Sequence, residues 1–385
     1  MQRMNSFIPL SRAWCTGEEL DYLRQAIGQH HLSGDGPFTR RVHALLKDTL
    51  GVHKALLTTS GSHALEMSAL LLGIQPGDEV IVPSFTFVTS ASAFALRGAR
   101  PVFIDIRPDT LNLDETQLER LITARTKAIV PVHYSGVGCE MDAILAVAQR
   151  SGIAVVEDNA HGLFARYRGK PLGSFGGLAV LSFHATKNFT CGEGGALLIN
   201  DPQYAELAEI IREKGTDRSR FLRGQVDKYT WVALGSSYLP SELQAAFLCA
   251  QLEARECIQQ KRRNVWEYYR RNLGDWALEH QVRLPVVPGH CEHSYHSFYL
   301  LMPSLESRQA LIAHLKDRNI ASAFHYVPLH LSAMGQRLGG KEADCPVTEK
   351  VSDQLLRLPL YAGLTEEEQA RVIRAIREFP WRQTA

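Results

Sequence analysis

Short apolar runs rich in branched side chains recur about every 25 residues: Ala55–Leu57, Val80–Val82, Val102–Ile104, Ala128–Val132 and Ala154–Val156. Stretches with helical patterning, Ser62–Leu72 and Met141–Arg150 among them, lie between the runs. A strand buried on both faces reads as a continuous apolar run, and parallel neighbours need a crossover of a dozen residues or more. The spacing therefore predicts a mostly parallel sheet with helices on both faces. Further strands are predicted at Leu178–Phe183 and Ala196–Ile199, then a helix whose apolar face carries Tyr204, Leu207, Ala208 and Ile211. Ser241 and Gln244 form a capping-box pair ahead of Leu243, Ala246, Phe247 and Ala250. One long helix is predicted from there through the charged stretch Glu253–Arg271, leading out of the sheet.

Beyond about residue 275 the pattern changes. It predicts a strand at Ser297–Met302, a helix at Leu305–Lys316, a strand at Ile320–Phe324 and closing helices near 347–356 and 365–378. The fold class is thus α/β, with a large domain over residues 1–250 that includes an N-terminal arm. Residues 251–385 form a linking helix and a smaller α+β domain. A length of 385 residues suits two such units.

Several classes of function are excluded or made remote. Lys and Arg total 42 against 41 Asp and Glu, so no overall field attracts a polyanion and no nucleic-acid partner is expected. No apolar run approaches the ~20 residues of a membrane span, and no membrane partner is expected. Pro9 and Arg12 interrupt the weak apolar patch around Phe7 and Ile8, so no signal-peptide core can be drawn and a cytoplasmic location is expected. The seven cysteines are scattered with no Cys-x-x-Cys pair, which argues against a disulfide framework and a zinc site; no metal is expected. Gly136-Val-Gly138-Cys-Glu-Met141 lacks the third glycine of the dinucleotide fingerprint, and no phosphate-loop motif occurs.

Open parallel sheets hold ligands at the carboxyl ends of their strands, and three of those ends are chemically loaded. The first runs into Thr58-Thr59-Ser60-Gly61-Ser62-His63, where hydroxyls and free N–H groups at a helix start can cradle a phosphate, though the same residues also make an ordinary helix cap. The strand at 154–156 ends in Glu157-Asp158-Asn159-Ala160-His161, a carboxylate that must face a ligand or be paired. The next strand leads into Ser182-Phe-His-Ala-Thr-Lys187-Asn-Phe-Thr-Cys-Gly-Glu-Gly-Gly195. A lysine among aromatic and small residues, followed by glycines that let backbone approach a ligand, is in the wrong setting for a solvated side chain. An anion site, a carboxylate and a secluded lysine are what pyridoxal 5'-phosphate requires. Phe87, in Pro83-Ser-Phe-Thr-Phe-Val-Thr89, is placed to cover the ring.

These segments resemble the nucleotide-sugar aminotransferases of the DegT/DnrJ/EryC1/StrS type, and the likeness runs from Leu32-Ser-Gly-Asp-Gly36 to Leu358-Pro-Leu360. The resemblance implies a fold type I pyridoxal-phosphate enzyme, a homodimer whose sites lie at the subunit interface. By the same resemblance Lys187 is the catalytic lysine that carries the cofactor and shuttles the proton. Asp158 would face the pyridine nitrogen, His161 the phenolic oxygen, and Phe87 the ring. Ser62, the His63 backbone and Ser182 would hold the phosphate. Many members have Asn-Tyr-Arg-Met where this chain reads Ser237-Tyr-Leu-Pro240, which leaves the cross-subunit phosphate anchor open. Arg212-Glu-Lys-Gly-Thr and Arg223-Gly-Gln-Val-Asp-Lys-Tyr-Thr-Trp231 resemble the dTDP-4-amino-4,6-dideoxygalactose transaminase branch. That branch moves an amino group from L-glutamate to C4 of dTDP-4-keto-6-deoxyglucose, on the route to enterobacterial common antigen and related surface polysaccharides. The alternatives are another nucleoside-diphosphate keto-sugar, 3-keto or GDP-linked, and a silent nucleotide-sugar-binding relative. The loop Phe324–His330 either lines the sugar pocket or is simply packed.

Overall fold

A computed structural model of the protein describes residues 6–381. Its twelve strands are β1 (Lys54–Thr58), β2 (Glu79–Pro83), β3 (Arg100–Ile104), β4 (Thr126–Ile129), β5 (Ala154–Asp158), β6 (Arg166–Tyr167), β7 (Lys170–Pro171), β8 (Leu178–Ser182), β9 (Gly195–Ile199), β10 (Cys291–Glu292), β11 (Phe298–Leu301) and β12 (Leu355–Leu358). Seven of them form the main sheet in the order β1-β9-β8-β5-β4-β2-β3. Neighbours from β3 across to β8 are parallel, while β9 runs antiparallel to both β8 and β1. The exception has a local cause. Residues 183–194 supply no crossover helix between β8 and β9, so the chain turns back beside the strand it has just left.

Four helices precede or follow the first strands: α1 (Glu18–Gly28), α2 (Pro37–Leu50), α3 (Gly61–Leu71) and α4 (Thr89–Ala95). The start of α2 combines proline in its first turn with an acceptor from far along the chain. Glu242 accepts from the N–H groups of Gly36, Phe38 and Thr39 at 2.9–3.0 Å and from the Thr39 hydroxyl. At the other end Gly51 takes φ 66°, which a side chain resists. The predicted capping box is present, with Ser241 and Gln244 bonded reciprocally.

Three sequence expectations need correction. The long helix after Ser241 is two helices, Glu242–Glu253 and Arg255–Glu279, separated at Ala254 (φ −84°, ψ 11°). The break lets the first bury Ala245, Leu248 and Leu252 under the sheet while the second sends Val265, Tyr269 and Leu273 into another core. Ile320–Phe324 is no strand; it makes only single bridges, Ile320 to Ile8 and Ala323 to Arg357. The helix expected over 347–356 stops at Gln354, and Leu355–Leu358 pairs antiparallel with β11, because tertiary pairing outweighs local preference there.

Packing falls around two centres. Clusters on both faces of the main sheet bury Val80, Val82, Val156, Val180, Leu197 and their neighbours. A separate core joins Tyr269, Trp276, Phe298, Leu311, Leu356 and Ile376, and it includes Ile8 from the chain's opening segment. Among the described residues no helix is long and apolar enough to cross a membrane.

Candidate active site

The carboxyl ends of β1, β5 and β8 open into a cavity of about 610 Å³, closed on the far side by Leu10, His296, His325, Tyr326 and Arg357. That size suits a small organic ligand. Ser62, Phe87, Asp158, His161, Ser182 and Lys187 all line it.

At the end of β1, Ser60 caps α3 by accepting from the His63 N–H at 3.1 Å. The N–H groups of Gly61 and Ser62 ahead of it lie in the first turn, where a helix has no acceptor for them, and both residues face the cavity. Gly195 sits against the same turn, and a Cβ there would run into the Ser60 backbone. His63 stands apart from the other expected site residues. Its N–H is spent on the cap, its Nδ1 meets Thr59 Oγ1 at 2.5 Å, and its ring packs on Tyr238, off the cavity wall. A Ser-x-x-His cap and a phosphate-binding His N–H compete for one donor, and the cap has it.

Asp158 ends β5. Its Oδ2 accepts from Ser90 Oγ at 2.7 Å and its Oδ1 from the Ala160 N–H at 3.2 Å; Ser90 in turn bonds Thr86 Oγ1 at 2.9 Å. These bonds aim the carboxylate, and among the described residues it forms no ion pair. Three residues on, His161 stacks on His296, ring centres 4.1 Å apart, and its Nδ1 is buried with no partner. Burial, with the charges of Lys187 and Arg357 near it, pushes the His161 pKa well down, so the ring is neutral and carries one donor and one acceptor nitrogen.

Lys187 lies in the excursion between β8 and β9. The Phe183 N–H donates to the Gly194 carbonyl at 2.8 Å and the Lys187 N–H to the His184 carbonyl at 2.9 Å. The residue as a whole is only half-buried, but its amine sits inside the cavity wall. Loss of water there pushes the pKa down to about 8, with Arg357 adding to the effect and Asp158 opposing it. Asn188 fastens the excursion to the second core: it donates to the Ser294 carbonyl at 2.7 Å and meets His296 Nδ1 at 2.9 Å. Phe87 stands at the rim, 57% exposed.

Sequence reading missed Leu10, Ser11, His296 and Arg357 on the cavity's far wall, where His325 and Tyr326 of the Phe324–His330 loop also stand. Arg357 stands in β12, whose first two residues were expected to end a helix, and its partner His325 follows a stretch expected as strand; no local spacing marks Arg357. The Phe324–His330 loop divides, since His325 and Tyr326 face the cavity whereas His330 is buried against Ser84 and Glu349.

An anchored carboxylate, a secluded amine of lowered pKa, an unpartnered neutral histidine donor and a helix start with spare N–H groups are the complements of a phosphorylated pyridine aldehyde, and they fit it. The model of the DegT/DnrJ/EryC1/StrS aminotransferase family matches residues 15–377. The chain belongs to that family. GDP-perosamine synthase of Caulobacter vibrioides is 36% identical over 362 residues, 94% of this chain and 95% of that one. Among solved structures, the aminotransferase TlmJ of Streptoalloteichus hindustanus superposes with a TM-score of 0.88 at 31% identity, covering 96% of this chain and 98% of its own. The putative sugar aminotransferase Spr1654 of Streptococcus pneumoniae, solved in PLP and PMP forms, gives a TM-score of 0.88 at 28% identity, with 96% of this chain covered and 97–98% of its own. This member of the DegT/DnrJ/EryC1/StrS family is therefore a pyridoxal-phosphate-dependent sugar aminotransferase of fold type I.

Proposed function

We propose that the chain moves an amino group from L-glutamate to C4 of dTDP-4-keto-6-deoxy-D-glucose, yielding dTDP-4-amino-4,6-dideoxy-D-galactose for surface polysaccharide, in the cytoplasm and as a homodimer. The observation that carries the chemistry is the meeting of Lys187, Asp158, His161 and the α3 start in one cavity. The likeness of Arg212–Thr216 and Arg223–Trp231 to one branch supports the substrate. A GDP-linked keto-sugar is the second reading, favoured by the relative named GDP-perosamine synthase.

In this reading the bound cofactor supplies an electron sink for the pair left when the C–H bond beside the nitrogen breaks. The residues do the rest. Gly61 and Ser62 N–H groups, with the Ser62 and Ser182 hydroxyls, bind its phosphate. Asp158, held by Ser90 and Ala160, keeps a proton on the ring nitrogen, and His161 donates to the phenolic oxygen. Phe87 covers one ring face and excludes water from it. Lys187 would hold the cofactor and would move a proton at the substrate carbon; a pKa near 8 suits an amine that must both take and give a proton near neutrality. We divide the chain near residue 250, since the core beyond it is built from Val265 to Phe379 with Ile8.

The test is to offer the purified holoenzyme L-glutamate with dTDP-4-keto-6-deoxyglucose, its 3-keto isomer and a GDP-linked 4-keto sugar, and to identify products by NMR. Turnover of the first at least about tenfold faster in kcat/KM than the others is the expected result. Preference for either of the others overturns the substrate.

A further inference from the structure

The cavity holds a guanidinium with no acidic partner. Arg357 projects from β12 into the far wall. Its Nη1 donates to His325 Nε2 at 2.6 Å, its Nε is buried without an acceptor, and among the described residues it forms no ion pair with a carboxylate. Arg357 is half-buried; of the fully buried arginines, Arg212 is committed to both oxygens of Asp35 and Arg262 to the Tyr295 and His296 carbonyls, while Arg308 lies outside the cavity. The cavity's two acids are also engaged, Asp158 with Ser90 and Ala160, and Glu193 with His184 at 3.6 Å.

The partner of Arg357 orients it without neutralising it. Burial, then the Arg357 and Lys187 charges, hold the His325 pKa down at about 2, so its Nε2 lone pair accepts at every working pH while Nδ1 points to the Tyr134 hydroxyl at 3.3 Å. A half-buried cation with no counter-charge and a buried, unpartnered Nε is well placed to receive an anion. Each turnover of a transaminase brings one. In an amino-acid donor the carboxylate is bonded directly to the carbon that carries the reacting nitrogen, whereas the diphosphate of a nucleotide sugar is held away from C4 by the width of the sugar ring. Arg357 lines the same cavity as Lys187, near enough for its charge to act on that amine, so the anion nearest the chemistry is the one we take it to meet.

We propose that Arg357 is the specificity-determining residue that receives a carboxylate of the amino-acid donor, presented by neutral His325. A planar guanidinium takes a carboxylate through two parallel N–H bonds, which also fixes the donor's orientation. The proposal rests on the transaminase reading with L-glutamate as donor, and it deepens that reading by separating the donor's anchor from the sugar's.

The donor half-reaction of the holoenzyme, followed through the cofactor's visible absorbance, tests it. Arg357→Gln is expected to raise the half-saturating L-glutamate concentration by about 10- to 100-fold, and to weaken 2-oxoglutarate binding to the pyridoxamine form similarly by calorimetry. The reverse half-reaction with the amino-sugar product should stay within about threefold. Arg357→Lys, which keeps charge but not the fork, should fall between, and it guards against a folding defect in the first variant. L-Glutamine keeps only the α-carboxylate and L-isoglutamine only the side-chain one. The amide that loses no further affinity in Arg357→Gln is the one lacking the carboxylate Arg357 reads. Unchanged glutamate and 2-oxoglutarate binding in both variants, equal penalties for both amides, or equal weakening of donor and amino-sugar overturns the proposal. If the wild-type protein ignores glutamate, the glutamate reading fails by itself, and the same comparison is made with the amino acid that does react.

Discussion

Lys187 and its neighbours set single-residue energetics against one another. With no cofactor bound, the folded protein must either bury a charged amine or release its proton, which is why the pKa drops from 10.5 to about 8. Between those values the unfolded chain holds more protons than the folded one, so stability rises with pH across that window; below about 8 the whole penalty is present. Lys187→Met should therefore stabilise the cofactor-free protein at pH 7, by on the order of 2 kcal/mol once partial exposure is allowed for, and the gain should fade by pH 10.5. Urea unfolding at the two pH values checks this. Asp158→Asn leaves the fold intact and should cut turnover about 100- to 1,000-fold, the usual cost of losing one preorganised charge; normal kcat in that variant would remove Asp158 from its proposed role. Both residues were legible in the sequence because Asp158 ends one buried strand and Lys187 lies in the segment that leaves another, where position along the chain goes far to specify position in the cleft. Arg357 was not, since an arginine in Leu355-Leu-Arg-Leu358 declares its direction only once β11 is beside it.

Elements were legible where local pattern and tertiary pairing agree. The main-sheet strands read from sequence lie where expected within a few residues, because both faces are covered and the apolar run is continuous. The direction of β9 was not, for it follows from the length and lack of helix in 183–194. α1 and α2 went unread because half of what starts α2 lies two hundred residues away. Glu242 is 1% exposed and replaces the acceptors that the first turn lacks. Glu242→Ala should strand three N–H groups and cost about 3 kcal/mol, with the loss concentrated in α2. Hydrogen exchange should show Phe38 to Leu46 losing protection while β4 and β5 keep theirs; uniform loss would mean the carboxylate serves the whole sheet instead.

Over the whole molecule, apolar surface left outside the two packing centres argues for a partner copy. Leu222 is 67% exposed, Trp231 71% and Leu234 59%, all within one excursion between the helix Ala205–Arg212 and the helix Glu242–Glu253. Sedimentation should give twice the chain mass at micromolar concentration, and Trp231→Glu should shift it toward the monomer with loss of activity. A fully active species sedimenting as a monomer would refute the dimer.

The buried Ile8 has a consequence for the newborn chain. Its N–H donates to the Asn319 carbonyl and its carbonyl accepts from the Ala321 N–H, both at 2.9 Å, while the Leu10 carbonyl accepts from the Leu360 N–H at 3.1 Å. The first of these residues to leave a ribosome must wait for partners more than three hundred positions later, about half a minute at ordinary rates of synthesis. Through that interval the main sheet can close, but the wall that carries Arg357 has yet to be made. Until that late docking, the nascent chain can own a cofactor cradle and no finished place for the donor.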